Sequence, residues 1–93
     1  MEQLKVMNDF FSAIAADPRI SSTHIAIFSG IFQYWCKHGL ELPVKAFSHQ
    51  IMPLAKMSSR NVYVKRLKEL DEYGYIRYEP SYKRDKGSRI YLL

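Results

Sequence analysis

The sequence predicts a small α+β domain, mostly helical, in which a bundle of helices is completed by a C-terminal β-hairpin. Three observations carry this. The chain has 93 residues, enough for one core and too few to divide into two independent ones. Apolar residues recur at helical spacing through several segments before Gly74. Beyond Gly74 the period falls from near 3.6 to 2, the mark of strands with one covered face.

Taken in order, Leu4, Met7, Phe10, Phe11, Ile14 and Ala15 define a first helix over Leu4 to Ala16. Asp17-Pro18 stops it, because proline disfavours helix in the residue before it. Ser21, Ser22 and Thr23 are capping types. After them Ile25, Phe28, Ile31, Phe32 and Trp35 form the apolar stripe of a second helix, which ends at Lys37-His38-Gly39 with Gly39 as its C-cap. With Ile27 and Tyr34 on its flanks, this is the element expected to be most buried. Leu40 to Lys45 contains Pro43 and reads as a short extended piece at a sheet edge.

Ser48 to Ala55 supplies Ile51, Leu54 and Ala55 for a short third helix. Pro53 conflicts with a helix interior and does least harm if the helix is kinked or very short. A fourth helix starts at Ser58 or Ser59 and runs to about Tyr73, with Gly74 beyond its end. On a wheel of 100° per residue, Tyr63, Leu67 and Leu70 fall on one side; Asn61, Val64, Lys65 and Lys68 fall on the other, with Arg60 at the margin. Residues 75 to 79 and 89 to 92 read as two strands. The turn-rich segment 80 to 88 between them is a hairpin tip.

Composition limits the function. Hydrophobic residues make up 47% and aromatic residues 14% of the chain, so a proper core is within reach. The net charge is +5, and its distribution is uneven. Residues 1 to 55 hold four basic and four acidic side chains, whereas residues 56 to 93 hold ten basic against five acidic. All the surplus lies in the last two fifths of the chain, which points to an acidic polymer as partner. Cys36 is the single cysteine, so no internal disulfide can form and a reducing cytoplasm is expected. The N-terminus lacks a signal-peptide layout and no apolar run reaches the roughly 20 residues that span a bilayer, so no membrane partner is expected.

Helix, helix, short strand, helix, helix, hairpin is the order of a winged helix-turn-helix domain. The segment 56-KMSSRNVYVKRLKELDEYGYIRY-78 resembles the recognition helix and first wing strand of bacterial winged-helix DNA-binding proteins, with their Leu-Lys-x-Leu and Gly-Tyr-Ile pattern. Ile76 to Tyr82, followed by Lys86 to Ser88, is similar to small winged-helix proteins of Bacteroidetes genomes and their mobile elements. The resemblance spans roughly residues 20 to 93. It implies that Ser58, Ser59, Arg60, Asn61, Lys65 and Lys68 lie where the family's helix enters the major groove. It also implies that Lys83, Arg84, Lys86 and Arg89 lie where the wing touches the backbone or minor groove.

The residue chemistry agrees. A major groove admits one α-helix, and Arg to guanine and Asn to adenine are the side-chain pairings that read base edges. Arg60 and Asn61 are the candidates for base contact, beside Val64; Lys65 and Lys68 are candidates for phosphate contact. The Ser58 and Ser59 hydroxyls and the free amides of the helix start suit a phosphate oxygen. Glu69, Asp71 and Glu72 mark the opposite end. Tyr82, at the hairpin tip, is the tyrosine placed to meet a sugar or phosphate.

Simpler explanations compete with each of these. Lys65 with Glu69, or Lys68 with Glu72, could be ordinary i, i+4 pairs on a solvated face. A second basic surface at the hairpin tip makes that the weaker account. Phe10, Phe11, Phe28, Phe32 and Trp35 recur at helical spacing and are expected in the core, as are Tyr63, Tyr75 and Tyr78 wholly or in part. Even so, Met7, Phe10, Phe11 and Ile14 give the first helix more apolar surface than a small core needs, and a homodimer through that face is expected. Cys36, His38 and His49 lack the paired spacing of a zinc site, and His38 reads as a helix C-terminal cap. There is no phosphate loop, no paired carboxylates and no nucleophile with an evident base. An enzyme is therefore not expected, nor a metal, cofactor or small-molecule ligand. The expected partner is double-stranded DNA, and the expected role transcriptional regulation, with replication or excision of a mobile element or protein association as alternatives.

Overall fold

A computed structural model describes residues 2–81 and 87–93. Its elements run α1 (Glu2–Ile14), α2 (Ser22–Lys37), β1 (Val44–Ala46), α3 (Ser48–Ile51), α4 (Arg60–Glu72), β2 (Ile76–Glu79) and β3 (Ser88–Leu92). The three strands form one antiparallel sheet in the order β1-β3-β2. This is an α+β domain, mostly α, and its element order and hairpin match the winged helix-turn-helix plan.

The core gathers where α2, α4 and the inner face of the sheet meet. Ile27, Phe28, Ile31 and Trp35 of α2, Tyr63, Leu67 and Leu70 of α4, and Val44, Ile76 and Ile90 of the sheet are all buried. Each large apolar side chain taken fully from water contributes about 1.5–3 kcal/mol, so this contiguous set dominates the fold. As expected, α2 is the most buried of the helices; its covered face, however, is centred on His24, Ile27, Phe28, Ile31 and Trp35, while Ile25 and Phe32 are only half-buried.

Pro53 causes no conflict because α3 is a single turn that ends at Ile51, two residues before it. A tight turn follows, with the Ala55 N–H donating to Ile51 O at 3.0 Å, and Lys56 leaves it with φ of 57°. β1 lies at the sheet edge with Pro43 just before it, so the missing proline N–H disturbs no ladder bond.

Two expectations about aromatic residues are corrected. Phe10 is buried at 4% exposure and its ring stacks on Phe28 at 3.7 Å, with Tyr75 edge-on at 5.6 Å. It anchors α1 to the core and is not available to a dimer partner. Phe11, expected in the core, is 45% exposed, because it lies 100° further round the helix, past the face that Phe10 buries. Met7 and Ile14 are half-buried against the core, so of the four proposed interface residues only Phe11 is open to solvent.

Candidate nucleic-acid interface

Local chemistry fixes where α4 begins and ends. Ser59 is in an extended conformation and its Oγ accepts from the Val62 N–H at 3.3 Å, which makes it the N-cap. Ser58 lies exposed just before it. At the other end Gly74 has φ of 86° and its N–H donates to Asp71 O at 3.0 Å. That left-handed conformation favours glycine, and it turns the chain into β2.

Between these ends α4 divides cleanly. Tyr63, Leu67 and Leu70 are buried, and burial pushes the Tyr63 hydroxyl's pKa well above the usual tyrosine value. On the outward face Arg60, Asn61, Lys65 and Lys68 are exposed and Val64 is half-exposed. Among the described residues none of those four polar side chains has a hydrogen-bond or ion-pair partner. The Lys65–Glu69 and Lys68–Glu72 pairs considered from the sequence do not form.

Glu69 faces elsewhere. Its Oε1 accepts from Arg66 Nη1 at 2.7 Å and from His24 Nε2 at 2.8 Å, and these bonds, Arg66's first, hold its carboxyl below the usual range. His24 is 2% exposed. The Ser21 backbone N–H can only donate, so His24 Nδ1 accepts from it at 2.9 Å and the ring hydrogen lies on Nε2, toward Glu69. Ser21, His24, Glu69 and Arg66 thus tie the start of α2 to the middle of α4. Of the three acidic residues expected to mark the far end of the helix, Glu69 serves this half-buried link, and Asp71 accepts from the Tyr78 N–H at 3.4 Å; Glu72 alone is exposed.

A second link sets the joint between α4 and β2. Asp17 accepts from Arg19 at Nε (2.9 Å) and Nη2 (2.8 Å) and from the Tyr75 hydroxyl at 2.6 Å. The Arg19 guanidinium in turn lies 4.2 Å over the Tyr73 ring. Neither link was visible in the sequence, since their partners lie 45 and 58 residues apart. The only local hint was His24 three residues after Ser21, a spacing at which a side chain reaches back to the N-cap amide.

Of the wing residues expected to contact DNA, Tyr82, Lys83, Arg84 and Lys86 lie outside the described residues. Arg89 is described and exposed on β3. The base of the hairpin is held close to β1: a Cβ on Gly87 would lie 2.6 Å from the Ala46 carbonyl carbon, so only glycine fits. His38, as expected, closes the end of α2, its Nδ1 donating to Tyr34 O at 2.8 Å. Among the described residues no helix is long and apolar enough to cross a membrane. No family model, curated protein or solved structure matches the chain.

Proposed function

We propose that this domain binds double-stranded DNA with sequence preference, α4 entering the major groove, and that it acts as a transcriptional regulator. The observation that carries this is the outward face of α4, where Arg60, Asn61, Lys65 and Lys68 are exposed and unpaired among the described residues. Charges that stabilised only the folded chain would be expected to find partners such as Glu69, which instead faces inward. The capped start of α4 leaves the Arg60 and Asn61 amides free for a phosphate oxygen. Accessory roles in replication or excision of a mobile element would use the same surface.

Selection of bound sequences from a random duplex pool, followed by titration at two salt concentrations, tests this. Lys65→Ala and Lys68→Ala weaken binding on every sequence and each flattens the salt slope by about one. Arg60→Ala and Asn61→Ala relax preference at one position, each costing about 1–3 kcal/mol of discrimination against the wrong base. Unchanged binding in all four variants would overturn the assignment.

Association with a second copy through α1 is a second reading, favoured by Leu4 at 57% and Phe11 at 45% exposure, about two turns apart on one side of the helix. Sedimentation of the full chain at micromolar concentration should then give a dimer that Leu4→Ser with Phe11→Ser reduces to monomer. A monomeric parent protein rules this out.

A further inference from the structure

The outer face of the sheet carries a charge arrangement that the linear sequence conceals. Lys45 is 44 residues from Arg89 and belongs to the half of the chain that is neutral overall. In the fold, Lys45 on β1 lies directly opposite Arg89 on β3, which in turn lies opposite Glu79 on β2. Residues directly opposite in an antiparallel pair project from the same face with Cβ atoms about 5 Å apart. Two exposed cations are therefore neighbours across the strands.

Like charges in that position are destabilising unless something neutralises them. Glu79 would be the obvious candidate, yet its carboxylate is given to Arg77, with Nη2 to Oε2 at 2.9 Å. Glu41 lines the same surface cleft as Lys45, but no ion pair joins them. Among the described residues, Lys45 and Arg89 have no ion-pair partner at all. The pair also lies one register step from Ala46 and Ser88, where Gly87 brings the base of the hairpin against β1.

We propose that Lys45 and Arg89 together grip one backbone phosphate of duplex DNA at the base of the hairpin, so that the edge strand β1 belongs to the interface. Lysine supplies a point charge and arginine a planar fork of donors, and a single phosphate with its unesterified oxygens accepts from both. The contact carries no base preference; it fixes register. The inference rests on the DNA-binding reading above and adds to it a residue outside both α4 and the hairpin.

The test measures binding of the full chain to a duplex from the selected pool, by fluorescence anisotropy across a salt series. Lys45→Ala and Arg89→Ala each weaken binding without changing sequence preference. Because one phosphate is shared, the double variant loses about one in salt slope, equivalent to about threefold to fourfold less affinity change between roughly 50 and 200 mM salt, where two separate phosphates would lose about two. In the free protein, Lys45→Glu raises the midpoint of thermal unfolding, more at low salt than at high, since an opposite pair replaces a like pair. If the parent binds and Lys65→Ala weakens it while Lys45→Ala leaves affinity and slope unchanged, the phosphate grip is wrong and the DNA-binding reading stands. If the parent binds no duplex, both fall. A Lys45→Glu variant with no gain in midpoint shows that the two cations do not face each other and also overturns the proposal.

Discussion

Asp17 shows how one carboxylate joins distant parts of this fold. The Arg19 guanidinium, and after it the Tyr75 hydroxyl, hold its pKa well below the ordinary value of 3.8. The unfolded chain therefore binds the proton more readily than the folded one. The stabilisation is fully present above the ordinary aspartate value and is lost as pH falls through the lower, folded-state value. Asp17→Asn should lower the unfolding midpoint at neutral pH, with the gap to the parent beginning to close below about pH 4, where the parent's unfolded chain takes up the proton while its folded form still holds the carboxylate ionised. Thermal melts across that range check it, and a gap independent of pH would show that the carboxylate's charge is not what matters. The residue scale was the least legible in the sequence. Arg60, Asn61, Lys65 and Lys68 emerged from a helical wheel because solvent exposure follows periodicity. Asp17 with Tyr75, His24 with Glu69, and Lys45 opposite Arg89 depend on where separate elements come to rest, and no local pattern encodes that.

Elements were more legible, since each is set by its neighbours in sequence. Capping serine, apolar spacing and terminal glycine placed α4 to within about a turn, and the change of period at Gly74 marked the hairpin. The third helix was overextended: Leu54 and Ala55 fit an apolar spacing, yet they belong to the turn after Ile51, where Ala55 is buried by tertiary packing. Gly74 offers a clean measurement of backbone cost. Nothing lies within 4 Å of a Cβ built there, and its φ is 86°. Gly74→Ala should therefore destabilise by about 1 kcal/mol through conformation alone, lowering the melting midpoint by about 4–8 °C for a domain of this size. A variant as stable as the parent would mean the helix end relaxes to another conformation.

At the scale of the molecule, α1 stands apart from the rest. α2, α3, α4 and the sheet share one core, while α1 contributes a single buried residue, Phe10, on Phe28 and Tyr75. Phe10→Ala removes about 3–5 kcal/mol of burial and packing, yet the cost should fall on the docking of α1. Trp35, the one tryptophan and 2% exposed, reports on the central core. In denaturant the parent should lose Trp35 burial and helical circular dichroism together. In Phe10→Ala part of the dichroism should be lost first, and coincident curves would show that α1 is integral to the core. The fold class followed from chain length, helical apolar spacing and the change of period after Gly74, which together set the order of elements along the whole chain. The exposure of Phe11 did not, because it depends on how far α1 rolls against α2. The division of α4 has a consequence for how such a protein can change. Arg60, Asn61, Lys65 and Lys68 share no position with Tyr63, Leu67 and Leu70, so the exposed set can be randomised in a library, or drift in a lineage, with little effect on the packing of the buried set.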